Sequence, residues 1–459
     1  MTQNIQLNRH SQQKFFDSFK TRDVDFRIEQ LKQLKSAVSA YEEKIYQALW
    51  KDLHKSQFEA FVTEVGIVQK EIALHIRKLK RWSRPERVST NQLIHFWSTS
   101  RIRREPYGLA LIIAPWNYPF LLTVGPLIGA ISAGNCTALK PSEFAPHTAE
   151  VISTMMNEFF PASYISVYQG GVEVGSELLT EKWDYIFFTG SKQVGRIVME
   201  AASRNLTPVT LELGGKNPCI VDEDANLKRA AARIAWGKLV NAGQTCIAPD
   251  YLFVHKQVKS EFLKLLEKYI RKYYGDPAKE SIDYGRIISA SKTERLGDFL
   301  KGMTTYYGGD MNFSERYLSP TILTDVNPDD PVMKEEIFGP IFPVLEFESL
   351  PEVIAFVNAR EKPLGLYYFS KDRQKQDRVL AQTSSGGASI NDVIVQFASE
   401  SMPFGGVGSS GMGSYHGKFS FDTFSHRRSV LKKVNWIDIP LRYPPYRKLG
   451  LVRWLFDIW

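Results

Sequence analysis

Cys246 is the residue of this sequence best suited to act as a nucleophile. It ends the segment Asn-Ala-Gly-Gln-Thr-Cys at 241–246, which is small, polar and contains a glycine, whereas Cys136 and Cys219 lie in apolar stretches. A thiol with an ordinary pKa near ~8.5 is only a few per cent thiolate at neutral pH, so a nucleophilic cysteine needs a base. The segment predicts covalent catalysis by Cys246, provided that such a base lies close by.

Glu212 is the candidate for that base. It stands between Leu211 and Leu213, directly before two glycines. Burial among leucines would raise the pKa of its carboxyl towards neutrality, which suits a general base. The alternative is a solvated carboxylate at the end of a strand.

The segment 185–195 has the order strand, glycine turn, helix that is typical of a phosphate-binding loop. Gly190 would allow the tight turn, and Gly195 would let the helix pack close to the sheet. The groups that could face a pyrophosphate are Ser191 and the first-turn amides of Lys192, Gln193 and Val194. The alternative is an ordinary turn. A Walker A loop is excluded, because Arg and Ile follow Gly195 in place of Lys and Ser or Thr.

Apolar periodicity predicts the elements that must position these residues. Residues 1–82 are predicted helical, and 83–106 form an exposed β-hairpin or arm. The predicted strands are 108–114, 136–140, 163–168, 185–188, 251–254 and 341–347. The predicted helices are 120–134, 146–160, 192–203, 226–240, 257–274 and 351–360. Strands and helices that alternate in this way predict doubly wound parallel sheets, here as two α/β lobes plus the arm.

The composition excludes several classes of protein. The chain has 459 residues, 43% of them hydrophobic and 24% charged, as in an ordinary soluble protein of two or three domains. Its net charge of +8 comes from scattered basic residues without a nucleic-acid-binding signature, so no nucleic-acid partner is expected. Three widely separated cysteines argue against a disulfide scaffold or a zinc site and favour the cytoplasm. We expect no bound metal, no signal peptide and no membrane-spanning helix.

A series of ordered motifs identifies a family. The chain resembles the aldehyde dehydrogenase superfamily, and within it class 3, the fatty and aromatic aldehyde dehydrogenases. The motifs that carry the resemblance are EPYG at 105–108, PWNYPF at 115–120, LKPSE at 139–143, FTGSKQVG at 188–195, LELGGK at 211–216, NAGQTC at 241–246, DYGRII at 283–288, EEIFGP at 335–340, PFGGVG at 403–408 and the segment 411–429. They cover nearly the whole chain.

The resemblance implies the aldehyde dehydrogenase fold, with a Rossmann-like cofactor domain, a catalytic domain and a β-rich bridging arm. The implied boundaries are 1–82 with 107–211 for the NAD(P)-binding domain, 212–395 for the catalytic domain, and 83–106 with 396–459 for the oligomerisation arm and tail. Because the arm pairs two subunits in this family, a homodimer is also implied.

The resemblance also assigns roles at the reacting centre. Cys246 would attack the aldehyde, and Glu212 would activate the water that hydrolyses the thioester. Asn117 of PWNYPF would donate to the oxyanion together with the backbone amide of Cys246. Asn217, where many relatives have serine, has no expected consequence for the chemistry, and His416 is interpreted as structural in preference to catalytic.

The cofactor contacts are assigned in the same way. Lys140 and Glu143 would hold the adenosine ribose, and Gly190, Ser191 and Gly195 the pyrophosphate. Glu336 would hold the nicotinamide ribose, with Phe338 beside the ring; without the resemblance, Phe338 would be interpreted as core packing.

The expected reaction is NAD(P)-dependent oxidation of a medium- or long-chain aliphatic or aromatic aldehyde to the carboxylate. NAD is the preferred cofactor, with NADP as a second one. The rivals are a relative that passes the thioester to coenzyme A, and a non-catalytic binding or structural protein on the same fold. Glu212 argues against the first rival, and the set of Cys246, Glu212 and Asn117 argues against the second.

The carboxyl-terminal segment 448–459 is predicted to be an amphipathic helix rich in leucine and tryptophan. Twelve residues rise only ~18 Å, too short to span a bilayer. The segment suits peripheral contact with a membrane or a cover over the mouth of a long apolar substrate site. The alternative is packing against the partner subunit.

Overall fold

The structure, a computed structural model, describes residues 4–92, 95–438, 440–446 and 448–457. The chain divides into two compact units. The larger comprises residues 1–82 and 105–426, and the smaller comprises residues 83–104 and 427–459.

The larger unit is built from helices and strands that alternate from residue 105 onwards, and the smaller unit adds one helix and a small sheet. The helices are α1 (Ile5–Asp17), α2 (Val24–Leu53), α3 (Gln57–Ala60), α4 (Gly66–Trp82), α5 (Leu121–Ala133), α6 (Pro146–Phe159), α7 (Val172–Thr180), α8 (Lys192–Ser203), α9 (Leu227–Leu239), α10 (Lys259–Tyr274), α11 (Ala290–Asp298), α12 (Pro331–Lys334), α13 (Leu350–Asn358), α14 (Arg373–Gln382), α15 (Lys418–Thr423) and α16 (Leu449–Asp457). A π-helical turn, Phe61–Val65, joins α3 to α4.

The strands are short, as in most α/β proteins. They are β1 (Glu86–Val88), β2 (Thr99–Pro106), β3 (Leu109–Ile113), β4 (Cys136–Lys140), β5 (Ile165–Val167), β6 (Tyr185–Gly190), β7 (Val209–Leu213), β8 (Pro218–Val221), β9 (Tyr251–His255), β10 (Thr304–Tyr307), β11 (Met311–Asn312), β12 (Tyr317–Leu318), β13 (Thr321–Thr324), β14 (Ile341–Phe347), β15 (Gly365–Phe369), β16 (Gly387–Ile390), β17 (Gly411–Met412) and β18 (Ser425–Lys432).

A six-stranded sheet in the order β17-β7-β6-β3-β4-β5 forms the first α/β layer. Its strands run parallel except β17, which pairs antiparallel to β7 and sets Gly411 opposite Glu212. The central strands β3 and β4 are nearly continuous apolar runs because helices cover both faces of such a sheet. The predicted burial of Cys136 follows from its position in β4, where it is fully buried.

A seven-stranded sheet in the order β10-β13-β14-β9-β8-β15-β16 forms the second layer. It too is parallel, except for the edge strand β10, which pairs antiparallel to β13. Cys219 is fully buried in β8, as its apolar surroundings indicated. Two doubly wound α/β layers confirm the fold class expected from the sequence.

The predicted strands and helices are recovered with ends that shift by at most two residues, and 136–140, 192–203 and 341–347 are recovered without a shift. The helix predicted at 226–240 is Leu227–Leu239, and the strand predicted at 163–168 is only Ile165–Val167. Elements that were not predicted include α7, α14 and the strands β8 and β15. The two strands begin at Pro218 and Gly365, residue types that usually mark turns.

The smaller unit contains a three-stranded sheet in the order β1-β2-β18. The β-hairpin expected at 83–106 is present, since β1 pairs antiparallel to β2 with Glu86 opposite Ile102. Residues 396–426, which the predicted arm included, lie in the larger unit. Over the residues that the structure describes, no helix is both long enough and apolar enough to cross a bilayer.

Candidate active site

The turn that carries Cys246 follows α9 and has an unusual backbone. Asn241, Ala242 and Gly243 all have positive φ, at 54°, 52° and 79°. For residues other than glycine, this conformation costs about 1–2 kcal/mol each. A Cβ on Gly243 would lie 2.3 Å from the carbonyl oxygen of Gly339, so only glycine allows the turn to approach that loop so closely.

Gln244 fixes this strained turn. Its side chain is fully buried, and its Nε2 donates to the carbonyl of Asn241 at 3.0 Å and to that of Arg286 at 2.9 Å. Its Oε1 accepts from the amide of Ile288 at 2.9 Å. The DYGRII segment is therefore a support for the nucleophile turn.

Cys246 and Glu212 line the same cavity, which has a volume of about 220 Å³. Its walls are otherwise mainly apolar side chains from both α/β layers. The apolar lining residues are Val62, Ile67, Leu121, Leu122, Leu213, Trp236, Val240, Ile247, Leu364, Ile394, Val395, Phe397, Ala398 and Phe404. The structure thus brings the two predicted residues together at one apolar site.

Glu212 lies in β7 with 3% of its surface exposed, and neither carboxylate oxygen has a hydrogen-bond partner among the described residues. Burial raises the pKa of this carboxyl well above its usual value. Burial likewise raises the pKa of the Cys246 thiol, and the nearby carboxylates Glu336 and Glu212 raise it further. The resting thiol is therefore protonated, and its activation requires a base.

Asn117 lies next to the nucleophile turn. Its side chain is buried, and its Nδ2 donates to the carbonyl of Gln244 at 3.0 Å. Its own carbonyl accepts from Asn241 Nδ2 at 2.7 Å. The next residue, Tyr118, shares a hydrogen bond of 2.5 Å with the hydroxyl of Thr245. Asn117 is therefore bonded to the turn that carries Cys246, while Glu212 shares a cavity with Cys246, and the roles of all three stay predictions.

Asn217, which was expected to have no consequence for the chemistry, makes three hydrogen bonds in the structure. It is buried, and its Nδ2 donates to the carbonyl of Cys246 at 2.8 Å and to that of Ala248 at 2.9 Å. Its Oδ1 accepts from the amide of Gly365 at 2.8 Å. A serine hydroxyl could not make all three bonds, so asparagine here holds the residue that carries the nucleophile.

The segment 185–195 folds as a strand that ends at Gly190 followed by α8, in the order that the sequence predicted. Ser191 precedes α8, and its hydroxyl accepts from the amide of Val194 at 3.4 Å. A Cβ on Gly195 would lie 2.8 Å from Leu213, which agrees with close packing of helix on sheet. Lys192 forms an ion pair with Glu361, and Gln193 and Val194 are exposed.

Lys140 and Glu143 form an ion pair, with 2.7 Å between Nζ and Oε2. Lys140 is buried at the end of β4, whereas Glu143 is exposed. The pair therefore presents a carboxylate at the surface with a buried cation behind it.

Glu336 and Phe338 stand in a loop held by its backbone. Arg295 donates to the carbonyl of Glu336 at 2.6 Å and to that of Ile337 at 2.9 Å. Phe338 is half-buried with a φ of 56°, and its ring centroid lies 5.2 Å from that of Trp116. A strained, half-buried aromatic residue favours a role in binding over core packing.

These residues fit a nicotinamide dinucleotide. The helix amino terminus at Ser191 offers backbone amides to a pyrophosphate. A Cβ on Gly214 would lie 2.1 Å from Glu336 Oε2, so a glycine is required for the carboxylate to stand where it does. The buried hydroxyl of Thr189 has no partner among the described residues and lines the cavity of Cys246.

His416 lies outside that cavity and lines an adjoining one of about 330 Å³. Its Nδ1 is 3.2 Å from the carbonyl of Phe397, and its ring packs against Phe397 and Phe404. Burial lowers its pKa to about 4. These contacts agree with the structural interpretation.

Most of the residues that hold the site were not predicted from the sequence. Asn241 and Gln244 lie inside a quoted motif but were assigned no role, and Arg295 lies outside every motif. No local pattern marks them, because each acts on backbone atoms that are distant in sequence. The positive φ angles of Asn241 and Ala242, which precede Gly243, could not be predicted from the sequence either.

The ionisation of Glu336 predicts a pH dependence of stability. Burial, followed by the nearby Asp250, raises its pKa from 4.5 to about 8. The folded protein then holds a proton that the unfolded chain releases, so this contribution is complete below pH 4.5 and is lost as the pH rises through about 8. In urea unfolding without cofactor, Glu336→Gln should lose less free energy of unfolding than wild type between pH 6 and 9. The exposed Glu294→Gln is the control; an unchanged pH dependence in Glu336→Gln would contradict the assignment.

Comparisons with known proteins agree with this geometry. The sequence model of the Aldehyde dehydrogenase family matches residues 3–430. The chain is 48% identical over 445 residues to a 4,4'-diaponeurosporen-aldehyde dehydrogenase from Staphylococcus aureus, covering 96% of this chain and 97% of the relative. It is 45% identical over 432 residues to a dimeric NADP-preferring aldehyde dehydrogenase from Canis lupus familiaris, covering 94% and 95%.

A solved structure, described as the substrate-bound state of Staphylococcus aureus AldH, superposes with a TM-score of 0.97 at 47% identity. It covers 98% of this chain and 99% of its own. The chain therefore belongs to the aldehyde dehydrogenase family: it is an NAD(P)-dependent oxidoreductase that converts aldehydes to carboxylic acids.

Proposed function

We propose that the chain oxidises apolar aldehydes, of medium or long aliphatic chain or with an aromatic group, through a covalent thioester on Cys246. One observation carries this proposal: the cavity with apolar walls holds the Cys246 thiol together with the Glu212 carboxyl, which has no partner among the described residues. Burying the substrate's apolar surface against such walls is favourable by about 25 cal/mol per Å².

In the first step, Glu212 accepts the proton of the Cys246 thiol and passes it on to solvent, and the sulfur attacks the carbonyl carbon, which moves negative charge onto the carbonyl oxygen. Asn117 has two N–H donors, one of which is engaged by Gln244. The other, with the backbone amide of Cys246, stabilises the oxyanion. Loss of one such donor typically costs about 3–4 kcal/mol of transition-state stabilisation.

In the second step, the thiohemiacetal carbon loses hydride as the carbonyl re-forms, which leaves an acyl thioester on Cys246. A nicotinamide cofactor held at this site would supply the hydride acceptor. Lys140 and Glu143 would hold the adenosine ribose, Gly190, Ser191, Gly195 and the amides of residues 192–194 the pyrophosphate, and Glu336 and Phe338 the nicotinamide ribose and ring.

In the third step, Glu212 accepts a proton from a water molecule as its oxygen attacks the thioester carbon. The sulfur leaves as a thiolate, and the carboxylic acid is released. A carboxyl with a raised pKa suits this role, because a more basic carboxylate takes the proton more readily. The same residue argues against transfer of the acyl group to coenzyme A.

We also propose NAD as the preferred cofactor and a cytoplasmic homodimer as the working form. The exposed Glu143 carboxylate can accept a hydrogen bond from a ribose 2′-hydroxyl and repels a 2′-phosphate, while Lys140 offsets part of that repulsion. The relative that is named dimeric and NADP-preferring supports the use of NADP as a second cofactor and the pairing of subunits.

Replacement of the base tests the proposed mechanism. Glu212→Gln keeps the shape of the side chain but cannot accept a proton, so hydrolysis should stop at the thioester. Intact-mass measurement after mixing with cofactor and an apolar aldehyde should show one acyl group on the enzyme, removed in the additional Cys246→Ala variant. Steady turnover by Glu212→Gln at the wild-type rate would exclude Glu212 as the base.

Replacement at the ribose position tests the cofactor preference. We expect kcat/KM to be higher with NAD than with NADP, and Glu143→Gln to narrow the ratio because it removes the repelling charge. Glu173→Gln is a matched control, since Glu173 lies near Lys140 but bonds to the amide of Gly171. A wild-type preference for NADP would contradict the argument.

Removal of the tail tests its proposed contact. In α16, Leu449, Leu451 and Trp454 are exposed by 61%, 42% and 59%, and Ile458 and Trp459 lie outside the described residues. If the tail contacts membrane or covers the substrate site, deletion of 448–459 should reduce sedimentation with anionic liposomes or activity on long aldehydes. Loss of the dimer alone, with both properties intact, would assign the tail to the subunit interface.

A further inference from the structure

Lys55 and Glu64 form an ion pair in which both side chains are fully buried, with 2.6 Å between Nζ and Oε1. The pair lies on the segment between α2 and α4, in the larger unit. Removing two charges from water is unfavourable, and their mutual attraction often does no more than balance that loss. A pair of this kind is therefore a weak source of stability, and its other contacts indicate what it does.

Those contacts are backbone atoms of one loop. Lys55 Nζ donates to the carbonyl of Asn117 at 3.0 Å and stands 4.0 Å from the ring centroid of Tyr118. Glu64 Oε2 accepts from the amides of Phe120 and Leu121 at 2.9 Å and 3.1 Å. The pair therefore holds the PWNYPF loop at Asn117 and at Phe120, where the loop enters α5.

Glu64 also acts as the cap of α5. Phe120, at the amino terminus of that helix, makes no capping bond with its own side chain. The first amides of a helix have no partner within the helix, and its positive end favours an anion. The Glu64 carboxylate fills that place from another segment of the chain, and in doing so fixes where the loop meets the helix.

The π-helical turn Phe61–Val65 explains how Glu64 reaches this position. A π turn inserts one extra residue and rotates the side chains that follow, and such turns are frequent at functional sites. Val62 and Thr63 of the same turn line the cavity of Cys246, while Glu64 is buried behind it. One local distortion thus serves both the cavity wall and the ion pair.

The loop held by the pair contains the predicted oxyanion donor. The Asn117 carbonyl is shared by Lys55 Nζ and Asn241 Nδ2, and the Asn117 side chain donates to Gln244. We propose that Lys55 and Glu64 are positioning residues for the reaction: they hold the Asn117 amide at the distance from Cys246 at which it can donate to the oxyanion. This inference rests on the proposed function, in which Asn117 is that donor.

A double-mutant cycle tests the proposal through the rate of reduced-cofactor formation in a single turnover. The variant Lys55→Met/Glu64→Gln removes both charges together and leaves no unpaired buried charge. We expect it to slow this step about 10²-fold, as misplacement by about 1 Å can. The dissociation constant for NAD should stay within about 3-fold of wild type, because Asn117 takes no part in holding the dinucleotide in this mechanism.

Combination with Asn117→Ala separates positioning from general damage. If the pair acts through Asn117, adding the pair variant to Asn117→Ala should slow the step by no more than about 3-fold further, since the amide is already absent. A further slowing of about 10²-fold, or an unchanged rate in the pair variant alone, would overturn the inference. A normal rate in Asn117→Ala would instead overturn the proposed oxyanion role, and the inference with it.

Two further variants keep the test decisive. If the neutral variant does not fold, Glu64→Asp can replace it, because it retains the charge but withdraws the carboxylate from the α5 amides. We expect Glu64→Asp to lower the single-turnover rate by a smaller factor, and to add little to the effect of Asn117→Ala. Lys375→Met removes an ion pair with Asp222, 3.1 Å apart, which contacts neither loop. Its single-turnover rate should equal that of wild type, and an equal loss there would overturn the inference.

Discussion

The hydrogen bonds that join Asn117 to Asn241 and Gln244 connect two loops from different α/β layers, and the rest of the active site is arranged around them. They lie in a region where water is excluded, so each bond is directional and an unmade one is unfavourable. Because backbone carbonyls accept both bonds, the relative position of the two loops depends on the backbone conformation more than on the size of side chains. The close approach of Gly243 to Gly339 extends the same arrangement to the loop of Glu336.

The sequence indicates the residues that would carry out the reaction more clearly than the residues that hold them in place. Cys246 in a polar turn and Glu212 between leucines could be selected from residue type and neighbours alone, because reactivity is a property of one side chain and its burial. Gly190 and Gly195 were similarly marked by the strand-helix order around them. The parallel layers followed from apolar runs such as β3 and β4, whose burial on both faces leaves an unbroken signal.

The residues that hold the active site in place, in contrast, could not be predicted from the sequence. Lys55 and Glu64 have the composition of a solvated helix surface, and only the fold reveals that both are buried against a loop more than fifty residues away. Asn217 was judged neutral because its partners, the carbonyls of Cys246 and Ala248, are set by strand pairing. The strands β8 and β15 were missed because they begin at Pro218 and Gly365, residue types that usually mark turns.

The protonated resting thiol of Cys246 bears on how the enzyme withstands oxidants. Peroxides and alkylating agents react with the thiolate form, so a cysteine whose pKa is raised by burial and by two neighbouring carboxylates reacts slowly with them. The apolar walls of the cavity add to this protection by excluding charged reagents. We therefore expect the nucleophile to react slowly with such reagents between turnovers.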